Sequence, residues 1–561
     1  MGTNKQQSEM ETEISFRTTF QSAIKTLKEN NALCEEQNIQ NTEAAVFRIC
    51  WDTRLLPSNE NVLFLARKGG HFDGHSLAEE FLQRGFAVVG ERCAIMRHMR
   101  EQGRNEETIQ TLMANPKLLC VHDSENALKI LLNSALEFHP HNLSSIAITG
   151  TSGKTSTTQI TAFLWNKLSN AAVLRLGTLG IQMGESLWDG SFPTMPDYPG
   201  FLTALTAAHR NNIHQCVFEA TSHGLVGKRL GDWEVDIAIF TNLSQDHLDF
   251  HKTMASYRSC KGILFEKHLA PNGTAIVNTD DPEWTYFANR LRHSAQKLIG
   301  FGSPKQRVTF FESVKESPRE PHFLEISDTI SDHKGIRGAW RLFGANSLVE
   351  EVDFECPLLG AFQHHNLAAS VAAMLCKGFS LKQISLHCSL VPGIPGRLEH
   401  VVEASVAPHP VVLVDYAHKP DALEKTLQTL KNITPPGAQL ISVFGCGGDR
   451  DTSKRPIMGE ISSRIADISI VTSDNPRTEN ANTIVNEVMA GIPQNSRARP
   501  IVDRREAIFE ALREAKSNDV VVISGKGHED YQIIGTQKYP FSDFDIARCA
   551  LKAIFQKQKK E

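Results

Sequence analysis

The stretch Ile148-Thr149-Gly150-Thr151-Ser152-Gly153-Lys154-Thr155-Ser156-Thr157-Thr158, written ITGTSGKTSTT, decides the fold. It joins an apolar strand-like run, SSIAITG, to a helical one, TSTTQITAFLWNKL, so its glycines fall where a strand hands over to a helix. At such a turn backbone N–H groups converge on an anion and the helix N-terminus adds positive potential. Lys154 is set to meet terminal phosphates, and Thr155 to ligate magnesium. The spacing is a variant, because Ile148 stands where the first glycine of G-x-x-x-x-G-K-[ST] belongs. From this stretch alone phosphate binding is expected, with GTPase, kinase and ligase chemistry all open.

Working outward, further buried-strand runs appear at HQCVFEA, DIAIFTN and GTAIVN, separated by helical segments, which is the pattern of a doubly wound parallel sheet. Glu219, in FEATSHGL, and His247, in TNLSQDHLDFH, each follow a strand, which sets both at the C-terminal edge of the sheet beside the phosphates. A carboxylate and an imidazole there point to a second metal ion. Lys261, in SYRSCKGILF, is out of place near such a site, since an ammonium repels a divalent cation.

Before this unit, VLFLA at 62–66, SLAEEFLQRG and FAVVG at 86–90 suggest a small α/β unit ending near Val121. Between about Gly302 and Gly360 the alternation lapses into polar sequence with short β-like pieces, VTFFES, HFLEIS and AWRLF, expected as hairpins decorating the central unit. VPGIPGR at 391–397 reads as a hinge or linker, and a third, Rossmann-like unit follows with strands PVVLVDYA, QLISVFG, ISIVTSD and DVVVISGKG. The length, 561 residues, fits three or four domains, and the chain reads as α/β throughout.

Composition excludes several classes. A net charge of -5 provides no basic footprint for nucleic acid, and no apolar run approaches membrane-spanning length. The 11 cysteines are scattered with no C-x-x-C pair, so neither a zinc ribbon nor a disulfide framework is indicated, and a cytoplasmic location is expected. The N-terminus, MGTNKQQSEMETE, has no apolar core of a signal peptide, and residues before about Phe20 read as a mobile extension.

Read together, these residues resemble the Mur ligase family, ATP-dependent amide ligases of peptidoglycan synthesis whose loop reads G-T-x-G-K-T and whose downstream lysine is carbamylated. The resemblance runs from about Asp52 to the C-terminus. It implies a three-domain architecture: 1–122 as an extension plus a UDP-sugar-binding domain, 123–395 as the ATP-binding domain and 396–561 as the amino-acid-binding domain. It implies that Gly150, Thr151, Ser152, Gly153, Lys154, Thr155 and Ser156 hold ATP, with Asn366 near the adenine, Arg397 near the phosphates, and Asp415 with His418 across the cleft. Glu219, His247 and modified Lys261 join Thr155 as magnesium ligands, and Lys154, Lys261, Glu219 and His247 form the catalytic set. A CO2-derived carbamate resolves the oddity of Lys261, because it turns an amine into an anionic oxygen ligand. His364 and His365 match no family ligand.

In the third unit DYAHKPDALE at 415–424, FGCGGDRD at 444–451, SDNPRTEN at 473–480 and GKGHEDYQ at 525–532 resemble the branch of the family that adds the third residue of the stem peptide. The box Asp474-Asn475-Pro476-Arg477 resembles the form that goes with meso-diaminopimelate, whose distal carboxylate an arginine grips bidentately. Arg450, Gly525 and Glu529 complete the implied amino-acid site. In the first unit, WDTR at 51–54 stands where D-S-R is usual, so Thr53 and Gly70, His71 and Phe72 are implied at the nucleotide-sugar.

Some elements depart from the family. The muramoyl-peptide box reads Pro193-Thr194-Met195-Pro196, with Met195 in place of a hydrogen-bonding threonine. The S-S-H element reads Thr221-Ser222-His223, Gly227 replaces a glutamine while Arg229 is kept, Gln363 replaces an asparagine, and Ser152 another. Thr194, Thr221 and Arg229 are the implied contacts to the acceptor, UDP-N-acetylmuramoyl-L-alanyl-D-glutamate. The resemblance thus predicts an acyl-phosphate ligase acting as a monomer. Its rivals are a folylpolyglutamate synthase, an amide ligase with another nucleotide-linked acceptor, and a non-catalytic ATP-binding regulator.

Overall fold

The structure, a computed structural model, describes residues 15–34, 45–53, 56–57, 60–69, 72–138, 142–184, 186–188, 194–291, 293, 295–315, 320–345, 347–403 and 408–555. Three larger sheets follow one another along the chain. The first orders Arg17–Thr19, Val46–Cys50, Val62–Leu65, Ala87–Glu91 and Leu118–Val121, all parallel except the first pair. This corrects the reading of everything before Phe20 as an extension. Arg17–Thr19 pairs with Val46–Cys50, and Phe16 and Phe20 are buried in the core, each such side chain contributing about 1.5–3 kcal/mol of burial. The two aromatic anchors are diluted by polar neighbours in sequence, which hid them.

The central sheet has eleven strands. Seven are parallel neighbours, in the order His322–Asp332, Lys297–Gly302, Leu269–Asn278, Val235–Phe240, Ser144–Thr149, Gln215–Glu219 and Leu174–Gly177. Their side chains alternate between two cores. Ile146, Ile148, Val217, Ile237 and Ile239 pack with Ile160, Leu164, Leu367 and Val371 of helices Lys154–Ser169 and Gln363–Cys376. Ala147, Phe218, Ala238 and Phe240 pack with Phe201, Leu205, Leu264 and Phe265 of helices Tyr198–Arg210 and Met254–Lys267. Two buried faces explain the continuous apolar runs, and make the sheet doubly wound as expected.

The 302–360 region differs in part from its reading. VTFFES lies in the helix Pro304–Val314, started by Pro304 in the first turn, with Phe310 buried; its apolar pair was mistaken for a strand. Strands His322–Asp332, Gly335–Gly344 and Ser347–Cys356 form the expected hairpins, but they extend the central sheet itself as an antiparallel edge.

The third sheet orders Glu399–His400, Val411–Asp415, Val520–Ser524, Leu440–Cys446, Ile468–Ser473 and Ala498–Pro500, parallel except for the first pair. The segment read as a hinge or linker joins the central and third sheets and is packed: Val391 and Ile394 are buried, and Gly396 (φ 64°) lies so close to His528 that a Cβ would sit 2.3 Å from its backbone nitrogen.

Candidate active site

The glycine loop leaves the C-terminal end of Ser144–Thr149 and enters the helix Lys154–Ser169. Gly153 caps that helix with φ 82°, a left-handed conformation that suits glycine, and a Cβ there would strike Asn366 Oδ1 at 2.3 Å. Asn366 is thereby held against the loop. It also accepts from Thr157 Oγ1 at 3.5 Å and donates to Gln363 Oε1 at 2.8 Å. Lys154 Nζ donates to Gly150 O at 2.9 Å and Thr151 O at 2.8 Å, curling over its own loop, and burial pushes its ammonium below the ordinary lysine range.

Lys261, on Met254–Lys267, is buried, and its Nζ donates to the same Gly150 O at 2.6 Å. Burial, and then the nearby Lys154 charge, hold it well below the usual range. Its ammonium lies 4.4 Å from the Tyr257 ring centroid, while Tyr257 Oη and Thr151 Oγ1 are 3.4 Å apart. His247 approaches the other side of that neighbourhood, its ring 6.2 Å from Tyr257 and 5.0 Å from His223. Its backbone is left-handed at φ 52°, and burial lowers its imidazole below the ordinary range despite Asp246 beside it.

Glu219, at the end of Gln215–Glu219, is 2% exposed and fully engaged. Its Oε2 accepts from Thr155 Oγ1 and Thr178 Oγ1, both at 3.1 Å, and its Oε1 from Thr178 N at 2.8 Å. Thr155 and Glu219 therefore meet as expected of shared hard-oxygen ligands, a donor set that fits magnesium. As an ammonium Lys261 does not fit a cation; as a carbamate it would. Among the described residues no group of three or more His, Cys, Asp or Glu side chains is arranged to hold a metal ion.

Across from the loop the third sheet presents its own strand ends. Asn475 is fixed by Glu529 Oε2 (3.0 Å), Lys526 Nζ (3.2 Å) and the backbone of Ile533 (2.9 Å). Asp474 is buried with Oδ1 unbonded, and Lys526, itself fully buried, stands 3.7 Å away. Gly525, at φ 119°, passes so close to Asp474 that a Cβ would lie 2.9 Å from its Oδ2. Pro476 is buried under Gly448. Arg477 adopts φ 52°, a conformation costing a non-glycine residue roughly 1–2 kcal/mol. Its backbone is stitched to the hairpin Tyr531–Ile534/Gln537–Pro540 through Ile533 O and Gly535 N, and its guanidinium donates to Gly448 O at 2.7 Å. Arg450 is exposed, donating to Asp449 O.

One cavity of about 780 Å³ lies between these groups, lined by Thr151 and Ser152, by Asp246, by His418 and Lys419, and by Arg450, Asp474, Asn475, Arg477, Gly525 and Glu529. Arg397 stacks on Tyr416, 4.8 Å from its centroid. Asp415 is turned inward: it accepts from Leu398 N, Ala417 N and Thr426 Oγ1, so both oxygens serve the loops of its own sheet, and burial raises its pKa. His418 Nδ1 lies 2.8 Å from Tyr416 O.

The implied acceptor residues divide. Thr194 Oγ1 lies 3.4 Å from Thr178 Oγ1, Thr221 caps helix Ser222–Val226 through Gly224 N, and Arg229 donates to the carbonyl of Met195. Met195 itself is buried, with a Cβ on Gly224 coming 2.2 Å from its sulfur. Thr53 and Phe72 are exposed in the first sheet's loops, while Gly70, His71 and Pro193 lie outside the described residues. Sequence reasoning missed Thr178, Tyr257 and Lys526. Tyr257 carried a readable signal, one helical turn before Lys261 on the same face. It also left His365 without a role, whereas Nε2 lies 2.8 Å from Asp280 Oδ2 beside the Asn366 helix turn.

The family model for the Mur ligase middle domain matches residues 148–374, and that for the Mur ligase glutamate ligase domain matches 396–527. The UDP-N-acetylmuramoyl-L-alanyl-D-glutamate--2,6-diaminopimelate ligase of Geobacillus kaustophilus is 34% identical over 89% of this chain and 94% of its own. The protein of the same name from Thermosynechococcus vestitus is 38% identical over 78% and 82%. A solved structure of an enzyme with that name superposes with a TM-score of 0.60 at 29% identity, covering 90% of this chain and 94% of its own. The chain belongs to the Mur ligase family.

Proposed function

We propose that this chain is an ATP-dependent amide ligase that joins meso-diaminopimelate to UDP-N-acetylmuramoyl-L-alanyl-D-glutamate, forming ADP and phosphate. The observation that carries this reading is one cavity lined by Thr151 and Ser152 of the phosphate loop on one side and by Asp474, Asn475, Arg477, Gly525 and Glu529 on the other. It is supported by full-length relatives named for that reaction. The reading divides the chain at 1–122, 123–395 and 396–561, with Thr53 and the segment 70–72 toward the nucleotide-sugar. It takes the protein as a cytoplasmic monomer, and no helix among the described residues is long and apolar enough to cross a membrane.

In this reading the γ-phosphoryl group passes to the D-glutamate side-chain carboxylate: an O–P bond forms as the bond to the β-phosphate oxygen breaks. The diaminopimelate amine adds to the acyl carbon, loses a proton, and phosphate leaves. Lys154 neutralises charge on the transferred group, while Asn366 and Arg397 orient the nucleotide. Thr155, Glu219, His247 and Lys261 would hold magnesium, which neutralises and aligns the two anions. Because burial and Lys154 disfavour its ammonium, Lys261 supplies the neutral amine whose nitrogen adds to CO2 and, on losing a proton, becomes a carbamate. Arg477 and Arg450 take the distal carboxylate, and Asp474 with its unbonded Oδ1 takes an ammonium. Met195, buried against Gly224, leaves Thr194 as the hydroxyl for the acceptor.

The test is phosphate release with ATP, magnesium and the acceptor, comparing meso-diaminopimelate, L-lysine and no amino acid, with mass detection of product. Product with diaminopimelate alone is the expected result. Product with lysine would overturn the selectivity, and silence with every amino acid would overturn the acceptor.

A further inference from the structure

Thr178 has no assigned role, yet it sits where two functional regions meet. It occupies the tight turn between strands Leu174–Gly177 and Gly180–Met183, at the edge of the parallel part of the central sheet. Its backbone N–H donates to Glu219 Oε1 at 2.8 Å, and its hydroxyl lies 3.1 Å from Oε2. The same hydroxyl lies 3.3 Å from Thr155 Oγ1 and 3.4 Å from Thr194 Oγ1.

The protons can be counted. A carboxylate only accepts, so the Thr155 and Thr178 hydroxyls each spend their single proton on Glu219 Oε2. The Thr178 oxygen then has lone pairs left, and the donor that fits them is the Thr194 hydroxyl, whose proton is not otherwise committed. This produces a directed chain, Thr194 to Thr178 to Glu219, with Thr155 joining at the carboxylate. The turn is built for closeness: at Gly177 a Cβ would lie 2.3 Å from Glu219 Oε1 and 2.9 Å from its Cδ and Cγ, so only glycine admits the carboxylate here. Three donors on a carboxylate that is 2% exposed fix its plane, and Oε1, which accepts from Thr178 N alone, keeps a lone pair for a further partner.

We propose that Thr178 is a positioning residue that couples the acceptor segment at Thr194 to the metal-binding carboxylate of Glu219, so that acceptor and metal affinities depend on each other. The inference rests on Glu219 being a metal ligand. An acceptor that engages Thr194 reorients its hydroxyl, and Thr178 carries the change to Glu219 without touching either ligand.

The experiment compares Thr178→Val, which keeps the backbone donor and the shape, with Thr178→Ser, which keeps the hydroxyl, in the full-length protein. Mn2+ binding is measured by electron paramagnetic resonance with a non-hydrolysable ATP analogue, with and without the acceptor. Wild type is expected to bind Mn2+ more tightly when acceptor is present. Thr178→Val is expected to weaken Mn2+ about tenfold, in line with loss of one hydrogen bond to a charged group, and to abolish the acceptor effect. Thr178→Ser should retain both. Glu219→Gln separates the two readings. If it leaves Mn2+ binding unchanged, Glu219 is no ligand; if it weakens binding while Thr178→Val behaves as wild type, the positioning role is overturned. Should Thr178→Val not fold, Thr194→Val must remove the acceptor effect alone, and retention of that effect overturns the coupling.

Discussion

Asp246 and Lys419 meet at 2.5 Å across the cleft between the central and third sheets, Asp246 also accepting from the backbone N–H of His247. Burial raises the Asp246 carboxyl, but the hydrogen bond and charge of Lys419 outweigh it, so it stays below the ordinary carboxylate range. The pair ties the histidine turn to the loop that carries His418. Lys419 is 45% exposed, so the contact is a modest, salt-sensitive latch. Lys419→Ala is expected to lower kcat/KM about two- to fivefold, the scale of an exposed pair of up to ~1 kcal/mol. Raising ionic strength should erase the difference between variant and wild type, which a salt series of kcat/KM checks.

Lys154 and Lys261 converge on one carbonyl, that of Gly150. Lys154→Ala is expected to cut phosphoryl transfer by about 100-fold or more, the cost of removing one preorganised charge from a transition state. Lys261→Ala should also lose most activity, and added formate or acetate should restore part of it by supplying an anionic oxygen. Phosphate release with all three substrates measures both; full activity of either variant contradicts its role.

Arg477 is held by its backbone to the Tyr531–Ile534 hairpin and by its guanidinium to Gly448 O, and the proposed reading gives it the distal carboxylate of the amino acid. Arg477→Ala is expected to raise the KM for diaminopimelate by about 10- to 100-fold, as for a charge-assisted hydrogen bond worth ~1.5–3 kcal/mol. The KM for ATP should stay near wild type. Steady-state kinetics varying each substrate in turn decides the point.

His364 is buried, with Nδ1 unbonded, and burial pushes its pKa down from 6.5 to about 4. A histidine with a lowered folded-state pKa takes up a proton more readily when unfolded. Its stability contribution is therefore complete above pH 6.5 and is lost as pH falls toward 4, by at most about 3 kcal/mol. His364→Gln should flatten the chemical-denaturation profile across that interval relative to wild type.

The glycine loop was legible because strand, glycines and helix follow one another without a break from Ser144 to Ser169, so sequence order itself brings Gly150 to Ser156 together. The strand-end position of Glu219 follows in the same way from the sheet, while His247 lies seven residues past its strand, at the start of the short helix Leu248–His251. Thr178 was not legible, since its partners Thr155, Thr194 and Glu219 lie on other elements and nothing in LGTLG announces them. Asp415 was read with His418 across the cleft, and that its oxygens also accept from Leu398, Ala417 and Thr426 is something that only the folded loops reveal. VTFFES misled because two adjacent phenylalanines suit either period, and Pro304 four residues earlier carried the helical signal.

Met195 and Gly224 form a knob and socket: the thioether fills the volume that any side chain at 224 would need. Each residue limits what the other can be. Alanine at 224 must displace the buried sulfur, and a smaller residue at 195 leaves a void beside the helix that Thr221 caps. A change to threonine at 195 would thus gain most from a larger residue at 224 in the same protein, so the two substitutions are non-additive and each alone is the disfavoured one.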